Sequence, residues 1–260
     1  MVTLKVRQVW IVVLAAWAAG LTGCATYTTP GTAADFRALG ITPEQQDALT
    51  DDAIREAMAR KPAASFPAVI ATARVQGGGY RSYSDVGYGS GSYTLASLRE
   101  VEADEDLEAM HRLVGVRSVA PLNRMVTPER IKELGDLRLA GAQVQADMLL
   151  LYTFDTRFGV ETLVPALGTI TLGLFPSRES RVTSTCSAAL VDVRTGYIYG
   201  LVEATSKQEQ LANAWTSRTA VEQSRRRAER EAFEQTLTQF TDLWKGVVHS
   251  QGFRKIDPAG

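Results

Sequence analysis

The sequence has little of what most enzymes use. Of 260 residues only two are histidine and two are cysteine. His111 and His249 fall in separate predicted helices, where a lone imidazole reads as a surface or packing residue. Two cysteines cannot build a disulfide framework or a thiolate zinc site. There is no Gly-x-Ser-x-Gly, His-Glu-x-x-His, P-loop or Cys-x-x-Cys, which removes the common hydrolase, metalloprotease, nucleotide and redox signatures. Only an enzyme without fixed spacing, of the Ser-Lys or paired-carboxylate kind, survives that search. An excess of one charge is missing too: 28 Lys and Arg face 29 Asp and Glu, a formal charge of −1. Nucleic acid is therefore not an expected partner. No metal and no dissociable cofactor is implied.

What remains is ordinary globular composition, 45% apolar and 22% charged. That excludes wholesale disorder and a coiled-coil rod. The distinctive part is the start. Lys5 and Arg7 precede an apolar run from Val9 to Leu21, the layout of a secretory signal. The run is too short for a membrane span, which needs roughly 20 apolar residues. It ends in Leu21-Thr22-Gly23-Cys24, which resembles a bacterial lipobox. That resemblance implies cleavage between Gly23 and Cys24, diacylglycerol on the thiol and a fatty acyl group on the new amine. Two or three acyl chains, at about 0.8 kcal/mol per buried methylene, make a firm anchor. Ala25, rather than Asp, follows the cysteine; by resemblance to sorted lipoproteins this implies the outer membrane, where the expected orientation of the domain is toward the periplasm. Loss of Lys5 and Arg7 takes the formal charge from −1 to −3.

Residues 1–23 are thus a signal peptide and 24–41, rich in Thr, Ala and Gly, a flexible tether. Thr42-Pro43-Glu44-Gln45 predicts the start of an N-terminal helix, the segment 42–62, which runs to Arg60 and is ended by Lys61-Pro62. An α/β domain occupies 63–252, and 253–260 is a tail. Within the domain Val69–Val75 reads as a strand, followed by a Gly/Ser/Tyr segment over 77–92 predicted to be a long mobile hairpin loop. Tyr93–Val101 returns as a strand. Leu107, Met110 and Val114 share one face of a short helix, and Val116–Leu122 is a third strand. Thr127-Pro128 predicts a helix running to about Gln145, with Val126 and Ile131 as a hydrophobic staple. Met148–Phe154, apolar on both faces, is a central strand. Val182–Val193 and Tyr197–Ala204 make a hairpin around Arg194-Thr195-Gly196. A last helix covers Val221–Ser250, with Phe233, Leu237, Phe240, Trp244 and Val247 in one stripe. The fold class expected is α/β (α+β): a two-layer domain, a mixed β-sheet packed by helices, with a long C-terminal amphipathic helix.

Several residues could meet a partner. Tyr80, Tyr83 and Tyr88, interleaved with glycines, offer stacking faces to a glycan or a partner strand, or else belong to a solvated loop. Leu163–Phe175 is apolar and Gly/Pro-broken, with Ile170, Leu172 and Leu174 alternating. It is an extra strand, an exposed flap contacting partner or membrane through Leu167, Ile170, Leu172, Leu174 and Phe175, or one half of a membrane hairpin. Cys186 lies in phase with Val182, Ala188 and Leu190 and reads as a buried small hydrophobe. Arg225, Arg226, Arg227 and Arg230, interleaved with Glu222, Glu229 and Glu231, read as a solvated helix face with i, i+4 pairs.

Ala146-Asp147-Met148-Leu149-Leu150-Leu151, together with Ala189-Leu190-Val191-Asp192-Val193-Arg194-Thr195-Gly196-Tyr197-Ile198-Tyr199, resembles a group of envelope proteins. These are the curli-secretion channel subunit, the lipoprotein activators of penicillin-binding proteins and the amino-terminal domain of the Tol-system β-propeller protein. Uncharacterised bacterial lipoproteins with the same strand and hairpin are more similar still. The likeness covers residues 64–250 in element order and about 20 residues in motif. It implies an envelope protein that works by binding or assembly, not catalysis. Its partners would be the bilayer, through the acyl chains, and an unidentified envelope protein. Two organisations follow: a lipid-anchored binding or scaffolding protein, or a subunit of an oligomeric outer-membrane secretion or assembly complex.

Overall fold

A computed structural model describes residues 33–34, 51–82, 86–96, 99–162, 178–212 and 217–251. The chain forms α1 (Asp51–Ala59), β1 (Ala68–Gly77), β2 (Ser90–Gly91), β3 (Tyr93–Leu95), α2 (Asp104–His111) and β4 (Val116–Pro121). It continues with β5 (Arg130–Ile131), α3 (Leu134–Gln143), β6 (Met148–Thr162), β7 (Arg178–Asp192), β8 (Ile198–Ala212) and α4 (Ser217–Ser250).

The sheet is mixed, in the order β3-β1-β6-β7-β8, with β4 also on β1. β1 runs parallel to β6 and to β4, and antiparallel to β3; the β6–β7 and β7–β8 pairs are antiparallel. One edge of β1 is shared. β4 pairs with Ala68–Thr72 and β3 with Val75–Gly77, so the two neighbours part around Ala73.

β6 is apolar on both faces because both are covered. Met148, Leu150, Tyr152 and Phe154 pack with Cys186, Ala188 and Leu190 of β7 under Phe233, Phe240, Trp244 and Val247 of α4. Leu149 and Leu151 pack on the other side with Ala189, Val191 and Leu137 of α3. The expected mixed sheet with a long C-terminal helix is there, and α3 adds a short helical cover to the second face. α4 uses the expected stripe. At 34 residues it is about 51 Å long, close to the roughly 50 Å of the 15-residue β8. It returns antiparallel along that strand, with Glu231 beside Ser206, Gln239 beside Glu203 and Leu243 beside Gly200.

The two motif aspartates tie the strand ends. The Asp192 carboxylate accepts from the amides of Ala63 (2.7 Å), Arg194 (2.9 Å) and Thr195 (3.0 Å) and from the Tyr199 hydroxyl (2.9 Å). Gly196, at φ +69°, closes the turn. Asp147 accepts from the Val69 amide at 3.0 Å and the Arg194 guanidinium at 3.0 Å, which fixes β1 against β6. Where β1 and β6 diverge beyond Arg74 and Tyr152, Gln76 takes over. Its amide bonds both the N–H and the carbonyl of Phe154, as a strand neighbour would.

Four expectations change. The segment after β1 is not a loop without a core: Tyr80 and Tyr93 are buried, and β2 pairs in parallel with β5. Pro128 does not open a helix, because Arg130–Ile131 is taken by that pairing. α3 starts at Leu134, where Asp136 accepts from the amides of Lys132 and Glu133. The strand from Tyr93 stops at Leu95, while β6 and β8 run eight residues past their expected ends and β7 begins four residues before Val182. Finally, Ala33–Ala34 of the expected tether is docked: Ala33 bridges Gln76, and the buried Ala34 donates its amide to Thr153 Oγ1 at 2.8 Å. α1 lies within the expected N-terminal helix, with Ile54 and Met58 exposed; the Thr42 start is outside the described residues.

Candidate functional site

Where β3 and β4 part, a cavity of about 500 Å³ opens on the α4 face of the sheet. Leu107, Met110, Leu150 and Phe233 floor it, and Arg74, Arg99, Glu102 and Asp106 bring charge to it. Its size falls within the range of small-ligand pockets. Its position, at the ends of strands that diverge from a shared edge, is where open α/β sheets place clefts.

A buried ionic cluster lies against this cavity. Arg74 is the one charged residue in an otherwise apolar and small-residue run of β1, and its side chain points to α4. It donates to Glu229 at 3.2 Å and to the Tyr80 hydroxyl at 3.2 Å, and its guanidinium lies 4.7 Å from the Phe154 ring centre. Among the described residues its Nε and Nη1 have no hydrogen-bond partner; the guanidinium lies over the Phe154 ring instead. Glu229 also accepts from Arg225 at 2.7 Å and from Thr156 at 3.0 Å. Arg225, fully buried, reaches Glu222 and Glu100 as well, each within 3.0 Å. Burial opposes the charge on both arginines, and their carboxylate partners outweigh it, so both are held cationic above the ordinary range. Arg230 grips Asp106 through two nitrogens. Arg225, Glu222 and Glu229 are therefore a buried network and not part of a solvated face, whereas Arg226 and Arg227 are exposed and Arg230 is half-buried; the expected i, i+4 pairing is there. A period-3.6 reading hid this, because Arg225 and Glu229 share the face of Phe233 and Phe240.

Each ionisable group at the cavity is committed. Tyr152, whose hydroxyl donates to Glu102 at 2.8 Å, is pushed well above the phenol range by burial and then by that carboxylate. Burial also raises Tyr80, against the opposing pull of Arg74. Among the described residues lining the cavity there is no His, Cys, Ser or Lys. Cys186 is distant in role: buried, with a free thiol pushed up to about 12 by burial. Among the described residues no group of three or more His, Cys, Asp or Glu is arranged to hold a metal. The arrangement can bind; it lacks a poised nucleophile–base pair.

The residues singled out from sequence are not brought together. Tyr80, at 1% exposure, is part of the cluster and presents no face to a partner. Tyr88 is half-buried, bridged to Leu95, with its hydroxyl 3.4 Å from the Thr127 carbonyl. Gly23, Cys24, Tyr83, Leu167, Ile170, Leu172, Leu174 and Phe175 lie outside the described residues. β6 and β7 stay paired as far as Thr162 and Arg178, so the apolar segment 163–175 links the far ends of a long hairpin. No helix among the described residues is long and apolar enough to cross a membrane.

No family model matches the chain, and neither does any curated protein. Three of the similar solved structures are of bacterial proteins. Lipoprotein GNA1162 from Neisseria meningitidis is 13% identical over 55% of this chain and 85% of its own, with a TM-score of 0.32. A candidate lipoprotein from Caulobacter crescentus CB15 is 15% identical over 43% and 78%, with a TM-score of 0.25. Protein XCC0632 from Xanthomonas campestris, of the family labelled DUF330, is 15% identical over 74% and 92%, with a TM-score of 0.31.

Proposed function

We propose that this chain is a lipid-anchored lipoprotein of the bacterial outer membrane, facing the periplasm. It binds or scaffolds another envelope protein and is not catalytic. The observation that carries the reading is the N-terminal sequence: a positive start, an apolar run of about a dozen residues and Leu21-Thr22-Gly23-Cys24. Cys24 carries the diacylglycerol and fatty acyl groups, and these hold the domain at the bilayer. A partner confined to the same surface is then met at high effective concentration. The likeness to the curli-secretion, penicillin-binding-protein-activator and Tol groups agrees with work done by contact. So does the cavity, whose charged groups are tied into packing.

A second reading has its own support. The β6–β7 hairpin stays paired beyond the sheet's apolar part and ends in an apolar segment. That is the arrangement expected of a subunit in an oligomeric secretion or assembly complex, as in the curli channel.

Replacing Cys24 with Ser tests the anchor. The variant should keep its signal peptide and leave the outer-membrane fraction. Normal processing and normal fractionation of Cys24→Ser would sink the reading.

A further inference from the structure

β8 is the outermost strand, and among the described residues no strand pairs with its outer edge. It is 15 residues long and contains no proline; its one register irregularity lies at its start, at Tyr199, and leaves Gly200–Ala212 regular. Sheets usually blunt an edge of that length with proline, a bulge or a covering element, because its free amides are a template for another strand. The direction of those amides is fixed by Glu203. Its N–H donates to the Gln239 side chain on α4 and not to β7. Outward amides therefore fall at every second residue, Leu201, Glu203, Thr205, Lys207 and Glu209; that of Glu203 rests on Gln239, which an incoming strand displaces. The side chains of these five are exposed, on the face opposite α4, and Leu201 is 64% exposed.

We propose that this edge pairs antiparallel with the same edge of a second copy of the chain, about a two-fold axis at Thr205. Charge selects the register. With the axis at Thr205, Glu203 of each copy stands opposite Lys207 of the other, giving two cross-strand ion pairs by symmetry. An axis at Glu203 or Lys207 sets like charges face to face, and one at Ser206 sets Glu203 against Glu209. An axis at Gln208 offers Lys207 only Glu209, which already holds Arg181 at 2.8 Å. The Thr205 register pairs Leu201–Glu209, beyond the irregularity at Tyr199, and lays the Glu209 methylenes over Leu201. Lys207 makes no ion pair within its own chain among the described residues, so it is available. The formal charge is small, −1 for the whole chain and −3 after loss of Lys5 and Arg7, and opposes self-association little.

Light scattering of the full-length protein in mild detergent, with protein mass separated from detergent mass, tests this directly. At tens of micromolar the expected particle holds two protomers. Glu203→Lys and Lys207→Glu should each raise the dissociation constant by about tenfold, since two pairs become two repulsions of some tenths of a kcal/mol each. The double exchange Glu203→Lys/Lys207→Glu should restore the dimer. Thr205→Cys should form a disulfide with its own copy under mild oxidation, because the axis residue faces itself within disulfide range. Leu201→Cys, which meets Glu209, should not. A one-protomer mass, single reversals without effect, or a double exchange no better than the singles would each overturn the pairing. Cys24→Ser should dimerise as the parent does, so failure of the anchor and failure of this interface are separable.

Discussion

The residues that matter most here are charges without water. Arg225 is enclosed by Glu100, Glu222 and Glu229, and Glu229 is shared with Arg74. Removing the arginine leaves two or three buried carboxylates facing one another, the costly half of a broken buried pair. Arg225→Met should therefore destabilise the fold by about 3 to 5 kcal/mol, read as a lowered urea midpoint, whereas Arg227→Met, exposed on the same helix, should change it little. Asp192 is the complementary case. Burial alone would raise its carboxyl, but donors from Ala63, Thr195, Tyr199 and Arg194 outweigh burial and hold it below the usual range. A depressed folded value means the stabilisation is complete above the unfolded value, about 3.9, and is lost as pH falls through the folded value beneath it. Asp192→Asn should cost on the order of 3 kcal/mol at pH 7. Its stability should then fall less steeply than the parent's below about pH 4. Parallel acid-unfolding curves for the two proteins would contradict the role given to this carboxylate.

Among the elements, the short β2–β5 pair is the one held by backbone geometry. Gly91 has φ +134°, and a Cβ there would lie 2.5 Å from the Ile131 carbonyl oxygen, which is main chain and cannot swing aside. Gly79, at φ +78°, has nothing within 4 Å of the same added atom. Gly91→Ala should cost about 2 to 3 kcal/mol, strain and clash together, and Gly79→Ala about 1 kcal/mol. Equal losses of thermal midpoint would mean that β2 does not pack on β5. This pair also shows where the sequence stops being readable. Met148–Phe154 and the Phe233–Val247 stripe announce themselves because burial of an apolar face imposes its period locally. Pairing of Ser90–Gly91 with Arg130–Ile131 joins residues 40 positions apart through backbone alone, and no side-chain pattern records it. The polar far ends of β6, β7 and β8 are hidden for the same reason: Arg181 and Glu209, for example, pair across the ladder without an apolar alternation. Of the site, Arg74 was visible as a charge inside a strand, but its partner Glu229 lies 155 residues away, and only the fold joins them.

On the scale of the whole molecule, the decisive contact is the smallest. Ala33–Ala34 sits in the fork between β1 and β6, with the Ala34 amide on Thr153 Oγ1, and Thr153 in turn donates to Gln76 at 2.7 Å. That fastening leaves nine residue steps between Cys24 and Ala33, at most about 32 Å when extended. An anchored Cys24 therefore holds the fork within that distance of the bilayer, instead of letting the domain roam on the whole of residues 24–41. The far end of the β6–β7 hairpin, at Thr162, is nine residues beyond Thr153, or about 30 Å. Reach and hairpin are thus matched in length, so the hairpin end and the anchor can meet one surface. The link to test is the Thr153 hydroxyl. Thr153→Val keeps the side chain's shape and removes the acceptor, at about 1 kcal/mol. Hydrogen exchange should then show the Ala33–Ala34 amides losing protection while β6, β7 and α4 keep theirs. If those amides stay protected in Thr153→Val, the fork does not hold the N-terminal chain through this bond. If they are unprotected in the parent protein, the tether is free along its whole length and the domain's distance from the membrane is set by all eighteen of its residues.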